Sequence, residues 1–543
     1  MIRTRPTILR ASALSVSGNV TRWIFSLLLA ALFVGLQVRL SLYSGNLALP
    51  PTFDDVGYFN DAMDRLHQLQ AAGPAALVQG YIANPPHAPI HTMLALAGFG
   101  LLQPSPWAAV AMNLLPLTFL LRLFFATTAR VRLNQSGLIA LALLGAPIFG
   151  FLVAEFRPDA LCALLTAAGA ATIIFLPEWR AAQWRPCVWV GLLLGAALLT
   201  KPTLAPMTVT LFGASAGFVL LETVWRHESR RPALFASLWM VGLGGVIAMP
   251  HYILAWRHYV AYIHEQVFGA NATLWAPQLT LFDSATYYLT GPGGRLGAGP
   301  WFWLFLVVAP VAVLACARAI GHGIVLRRTL QFAMVLAIAW AGFTVPAFKS
   351  PFIGIVVPAL IVSSIGVAAV MLLIVMPRRG GMVPLMLALF SAAAWVPPHV
   401  SLWSALPGRE YIDDQNHIVA ALTDALATNQ DLADKRLYVP AIAQYINQDT
   451  LSFMLRARGA QPPHTDISYV SADLGEHQSL ALSADYIIIF SLDSREPLQW
   501  TPSYRIRGAI AEAVEHSGMF ESVLSIPSHV RGGTTTLLAR RLP

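Results

Sequence analysis

The chain has 543 residues, of which 56% are hydrophobic and only 11% charged. Soluble proteins carry about 25% charged residues, so a deficit this large excludes a soluble globular protein and turns most of the surface toward lipid. The net charge of +8 does not point to nucleic acid, because the arginines sit in short clusters between apolar runs. Lysine occurs only at Lys201, Lys349 and Lys435, which makes those positions informative in an arginine-rich chain. Cys162, Cys187 and Cys316 fall in or beside apolar runs and form no CxxC or disulfide pattern.

The first apolar run, Trp23–Tyr43, follows Arg3, Arg5, Arg10 and Arg22. A cleaved signal peptide has an apolar stretch of roughly 7–15 residues and a small-residue cleavage site. This run is longer and ends in Arg39 and Tyr43, so it reads as an uncleaved anchor with a cytoplasmic N-terminus. Further spans are predicted at 106–128, 136–154, 160–177, 187–200, 204–223, 233–255, 301–319, 331–347, 351–374 and 382–397. Every second loop is rich in arginine: Arg122, Arg130 and Arg132; Arg180 and Arg185; Arg226, Arg230 and Arg231; Arg318, Arg327 and Arg328; Arg378 and Arg379. Cations in short loops mark the inside face, and these loops alternate in phase with the N-terminus. Pro85–Leu102 is apolar but short, and counting it as a span would put every later cluster outside. It therefore reads as a helix lying in the outer interface.

These choices predict an α-helical polytopic membrane protein with about eleven transmembrane helices and opposite faces for its two termini. The membrane domain covers 1–398 and carries outer loops 44–105 and 256–300. A small extracytoplasmic α/β domain covers 399–543, with helical stretches at His417–Thr428 and Arg505–Ser517 and strand-like runs at Arg436–Pro440, Tyr486–Ser491 and Thr534–Ala539. No internal repeat and no GxxxxGK[ST] loop occurs, and the stretch GPGGRLGAG neither follows a strand nor opens a helix, so ATP-driven transport has no support.

Charges beside apolar spans are costly and mark candidate sites. The first outer loop opens with Asp54 and Asp55, followed by Tyr58, Asp61 and Asp64. Adjacent carboxylates repel, so one is pushed toward protonation unless a cation meets the pair. Such a pair can supply a general base or metal ligands; equally, it can cap a helix running through Met63 and Leu66. The segment AEFRPDAL brings Glu155, Arg157 and Asp159 to the same predicted face, and Pro158 suits a first helical turn there. Lys201, in LLTKPTLAP, is either a snorkelling interfacial lysine or a point charge for a phosphate oxygen. Lys349, in AFKSPF, occupies a similar place after a later span. His87 and His91 share a helix face, a spacing that only weakly suggests a metal.

In this order on one predicted face, the residues resemble the GT-C glycosyltransferases, especially the branch holding the protein O-mannosyltransferases and the bacterial aminoarabinose lipid A transferase. That class has an Arg-bearing inside N-terminus, one span, and an outer loop starting with an Asp-Glu pair and a tyrosine three residues beyond the Glu. Here these are Asp54, Asp55 and Tyr58, with Asp55 in the Glu position. A Pro-Pro interfacial helix is matched by Pro85–Pro86 and His87, an Arg…Asp element at tighter spacing by Arg157 and Asp159, and a Lys-Pro after a Gly-rich span by Lys201–Pro202. The match covers residues 20–210 by motif and the later spans by architecture.

The resemblance implies a transferase that takes a sugar from a polyprenyl-phosphate carrier at the outer leaflet and passes it to a glycan, lipid or protein acceptor of the cell envelope. It implies an inverting displacement with Asp54 as general base. Asp55 and Asp159 hold the acceptor or, with Asp54, a divalent cation such as Mg²⁺ or Mn²⁺. Arg157 and Lys201 meet the leaving phosphate, with Tyr58, His87, Glu155 and Lys349 in the substrate-binding set. A bacterial inner membrane with the C-terminal domain in the periplasm fits that reading. The rival is a secondary transporter or lipid flippase, which places polar groups near the midplane and often shows repeated halves. A third reading is a non-catalytic assembly protein whose outer domain binds an envelope partner.

Overall fold

The computed structural model describes residues 16–541, except 53, 130, 269–278, 321, 347–348, 377–380, 405–407, 430, 467–468, 470, 492–500 and 531. Arg130, Arg378 and Arg379 of the predicted inside clusters therefore lie outside the described residues, as do Arg3, Arg5 and Arg10.

Proline punctuates the first half. It fixes φ and lacks a donor, so it suits the first helical turn, where the N–H has no intrahelical partner. After α1 (Val16–Ser44) and α2 (Asp54–Ala83), prolines open α3 (Pro89–Leu101) and α4 (Pro106–Ala111), followed by α5 (Leu114–Thr127) and α6 (Leu133–Leu144). They again open α7 (Pro147–Ala154), α8 (Pro158–Phe175) and α9 (Pro177–Arg180). α2 breaks at Gly73, whose φ of 74° suits glycine, just before Pro74.

Next come α10 (Trp184–Thr200), α11 (Ala205–Trp225) and α12 (Arg231–Phe268). α10 and α12 approach through glycine: a Cβ on Gly191 would lie 2.8 Å from Leu243 Cβ, and one on Gly195 2.8 Å from Ile247 Cβ. Small residues four apart let helix backbones close on each other in lipid. Short α13 (Leu281–Thr286) and α14 (Pro292–Gly297) precede α15 (Trp301–Ile320), α16 (His322–Thr344), α17 (Val356–Val375) and α18 (Met382–Ser404).

Among the described residues, eight helices are long and apolar enough to cross a membrane, and the bent pair α6–α7, angled at 67°, brings the number to nine. The remaining predicted spans, 187–200 and 382–397, fall on apolar segments shorter than that threshold, Trp184–Thr200 and Met382–Ala394. α10 spans about 26 Å at 1.5 Å per residue, slightly less than a hydrocarbon core. α3, with 13 residues, is far too short to cross. α18 runs past the expected domain boundary at 398/399.

The C-terminal part begins with α19 (Arg409–Ala427) and holds one sheet. β1 (Arg436–Tyr438) is followed by α20 (Gln448–Ala457), β2 (His464–Asp466), α21 (Leu474–Ser483), β3 (Tyr486–Phe490), α22 (Pro502–His516), β4 (Phe520–Pro527) and β5 (Thr534–Arg540). The order is β2-β1-β3-β5-β4, with β1 parallel to β2 and β3, and β5 antiparallel to β3 and β4. β2, β4, α20 and α21 were not predicted. β2 has only three residues, and β4 is exposed along much of its length, so neither carries a strong apolar pattern.

At the end of α11, away from Lys201, Glu222 is buried among cations. Its carboxylate lies 2.7 Å from Arg180, 3.4 Å from Arg327, 3.8 Å from Arg226 and 3.9 Å from Arg328, and it accepts from Gln331 at 3.0 Å. This one carboxylate ties the ends of α9, α11 and α16 together. Deleting one partner of a buried ion pair leaves uncompensated charge and costs about 3–5 kcal/mol. Glu222→Ala is therefore expected to lower the thermal unfolding midpoint of the detergent-solubilised protein clearly; a midpoint equal to the parent's would show that the arginines are solvated without it.

Candidate functional site

The residues singled out in sequence divide among three places. The main cluster forms where the start of α2, the α7–α8 junction, α3 and the α10–α11 junction meet. α2 begins at Asp54, whose side chain lies outside the described residues. The Asp55 Oδ2 accepts from the main-chain N–H of Phe156 at 2.7 Å, and its Oδ1 lies 3.8 Å from Arg157 Nε. Arg157 donates to Glu155 at 2.9 Å and lies over the Phe352 ring, 3.9 Å from its centroid. A guanidinium held by a carboxylate on one side and an aromatic face on another has a fixed orientation.

Asp159 stands in the first turn of α8, where the helix dipole favours an anion, yet it also pairs at 3.4 Å with Lys201 at the end of α10. Both residues are buried, Asp159 to 1% exposure and Lys201 to 8%. His91 joins the two pairs. It is fully buried, with its ring 4.9 Å from Phe156 and 6.1 Å from Tyr58. Burial pushes the His91 imidazole down from 6.5 to about 3, and the nearby Lys201 ammonium acts in the same direction against the Arg157 main chain. His91 is accordingly a neutral ring packed on Phe156 near Lys201. The sequence pointed to it only through its spacing from His87.

The second place is the packing of α12 against the loop after α2. The His87 ring lies 5.0 Å from Tyr262, and its carbonyl accepts from Tyr259 at 3.2 Å. His251 bridges the Tyr81 and Tyr259 hydroxyls, at 2.7 and 2.5 Å. Tyr252 donates to the carbonyls of Leu198 and Pro202, on either side of Lys201. None of these four α12 residues was predicted, because tyrosine and histidine beside a span read equally well as interfacial anchors.

The third place is the end of α16. Lys349 donates to the carbonyls of Phe343, Thr344 and Pro346, so its ammonium satisfies unpaired carbonyls of that helix end. The other acids of the first loop go elsewhere. Asp61 accepts from Thr92 at 2.7 Å and pairs with Arg65 at 3.0 Å, and burial outweighs these partners to raise its carboxyl above the ordinary value. Asp64 pairs with Arg456 at 2.7 Å.

Among the described residues no group of three His, Cys, Asp or Glu side chains could hold a metal ion. Asp55 and Asp159 direct their oxygens at Phe156, Arg157 and Lys201. The side chain of Asp54, the third acid of the possible Mg²⁺ or Mn²⁺ set, lies outside the described residues. The arrangement can receive an anion beside Arg157 and Lys201 while carboxylates stand next to it.

No family model matches the chain, and no curated protein matches it. A solved structure does: the crystal structure of ArnT from Cupriavidus metallidurans in the apo state, at 15% identity and a TM-score of 0.58, covering 96% of this chain and 98% of that one. At this identity the likeness shows a shared fold over nearly the whole of both chains, the C-terminal domain included.

The buried imidazole carries a pH dependence. The unfolded chain takes up a proton near pH 6.5 and the folded one only near pH 3, so stability from neutral His91 is complete above pH 6.5 and is lost as pH falls through that window. His91→Phe keeps a ring against Phe156 but cannot titrate. Its unfolding midpoint is expected to fall less than the parent's between pH 7.5 and pH 4.5. Equal falls would remove His91 as the source.

Proposed function

We propose that this protein is a GT-C-type glycosyltransferase that moves a sugar from a polyprenyl-phosphate donor to a cell-envelope acceptor. The observation that carries the reading is the convergence, at one end of the bundle, of Arg157 and Lys201 with Asp55 and Asp159. A lipid-linked donor reaches its enzyme sideways from the bilayer, so its phosphate arrives at the membrane surface, where helix ends and not helix middles supply charge. The shared fold with ArnT supports the same reading.

In the proposed reaction a carboxylate of the Asp54–Asp55 segment takes the proton from an acceptor hydroxyl. The hydroxyl oxygen forms a bond to the sugar's anomeric carbon as the bond from that carbon to the phosphate oxygen breaks. The electron pair leaves with the phosphate, and in-line displacement inverts the anomeric centre. Asp54 is the preferred base, since Asp55 is engaged by Phe156 and Arg157. Asp55 and Asp159 orient the acceptor and hold the cations in place. Arg157 and Lys201 stabilise the charge that develops on the phosphate, fixed before the substrate binds by Glu155, Phe352 and Asp159. Tyr58 and His91 lie nearby, with ring centroids 6.1 Å apart.

The test is release of free polyprenyl phosphate from a lipid-linked sugar by the purified protein. A positioned general base contributes about 10²–10⁴-fold. Asp54→Asn is therefore expected to lose most turnover with expression intact, and Lys201→Ala to raise the donor KM. Parent-like turnover in the first variant removes Asp54 as base, and an unchanged KM in the second removes Lys201 as a phosphate ligand. No release by the parent protein sinks the transferase reading and favours transport.

We further propose that the N-terminus is cytoplasmic and that the site and α/β domain face the periplasm of a bacterial inner membrane, on the arginine pattern of the loops. A reporter active only in the cytoplasm is expected to be active when fused after Arg379 and silent when fused at the C-terminus; the reverse pattern inverts the topology.

A further inference from the structure

The C-terminal domain touches the membrane domain at the segment that carries Asp54 and Asp55. Thr52 donates to the Gln444 carbonyl at 2.5 Å, and Thr450 to the Pro51 carbonyl at 2.7 Å. On the other side of the acidic pair, Asn60 donates to the Asp449 carbonyl at 3.0 Å. Arg456 then grips α2 twice: its Nε and Nη2 reach the two oxygens of Asp64 at 2.7 and 3.3 Å, and its Nη1 donates to Asn60 at 2.8 Å. These bonds bracket residues 52–60 from outside the membrane.

An aromatic series continues inward from the same helix. Phe453 of α20 is 1% exposed, and its ring lies 5.5 Å from Phe59 and 5.9 Å from Phe99. Phe59 stacks on Phe156 at 5.2 Å, and Phe156 meets His91 at 4.9 Å. Phe156 is the residue whose N–H binds Asp55. The ring from the C-terminal domain thus connects through Phe59 to the residue whose peptide binds one carboxylate, while Arg456 anchors the helix that begins with both.

We propose that α20 is a positioning element of the site, with Arg456 and Phe453 as its positioning residues, so that the α/β domain sets the geometry of the Asp54–Asp55 segment. The kinetic half of this proposal rests on the transferase reading above. Nothing in it requires the domain to touch substrate. A misplacement of about 1 Å at a reacting group can cost about 100-fold.

The experiment uses the full-length protein. Arg456→Ala is expected to lower kcat about 10- to 100-fold while leaving the donor KM unchanged, because the donor phosphate is met by Arg157 and Lys201. Arg456→Asp combined with Asp64→Arg is expected to restore kcat relative to either single change. Arg458→Ala, one residue past the end of α20 and paired with Asp424 at 2.8 Å, serves as the control and is expected to keep parental kcat. Hydrogen exchange is measured in parallel, with faster exchange at residues 54–66 expected in Arg456→Ala and not in Arg458→Ala. That readout does not depend on any activity, so it still decides whether α20 orders the segment if the parent proves not to be a transferase. Unchanged exchange in Arg456→Ala overturns the proposal, as does faster exchange with parental kcat in an active enzyme. A loss equal in Arg458→Ala, or confined to KM, overturns it too.

Discussion

The hydrogen bond from the Phe156 main chain to Asp55 joins the two segments on which the candidate site depends. It crosses 101 residues of sequence and binds the start of α2 to the α7–α8 junction. Both ends gain from the pairing. A carboxylate beside a second carboxylate needs a donor, and a peptide N–H between two helices, just before a proline-led turn, has no ladder to join. Each solves the other's problem, and Arg157, next along the chain, supplies the countercharge. The orientation of Glu155, the stack on Phe352 and the seat of His91 against Phe156 follow from that junction.

Charge is distributed by the same logic along the bundle. α8 and α11 connect two charged ends through apolar middles. One end holds Asp159 and Lys201, and the other holds Glu222 among four arginines. Ions buried in a bilayer are tolerated at helix ends and in pairs. The two ends nevertheless differ in what they offer. Around Glu222 the cations converge on one fixed carboxylate, which is an arrangement for holding helices together. Around His91 each cation is instead held by carboxylates of its own, Arg157 by Asp55 and Glu155 and Lys201 by Asp159.

The membrane character, most of the spans and the sheet-bearing C-terminal domain were legible because they rest on composition and local pattern. An apolar run of about 20 residues has few alternatives, and proline at helix starts marks where Pro89, Pro106, Pro147 and Pro158 interrupt the apolar sequence. Asp55, Arg157, Asp159 and Lys201 were conspicuous because charge beside a span is expensive, and the fold brings them into two adjoining ion pairs. Lys349 was conspicuous for the same reason, yet it caps a helix end, since local sequence does not separate an ammonium waiting for phosphate from one satisfied by carbonyls. His91 stood out only by its spacing from His87, and Phe352 and Arg456 in no pattern: a phenylalanine in apolar surroundings and an arginine on the short amphipathic helix α20.

By itself, the sequence determined that this chain lives in a membrane, where it turns, and which of its charges are too costly to be incidental, because transfer free energy and backbone constraints act residue by residue. Only the tertiary structure decided which carboxylate meets which cation, that His91 is buried beside Phe156, and that a helix nearly 400 residues downstream of Asp55 grips its segment. Those outcomes depend on long-range pairing, in which several partners of equal local merit compete and packing selects one.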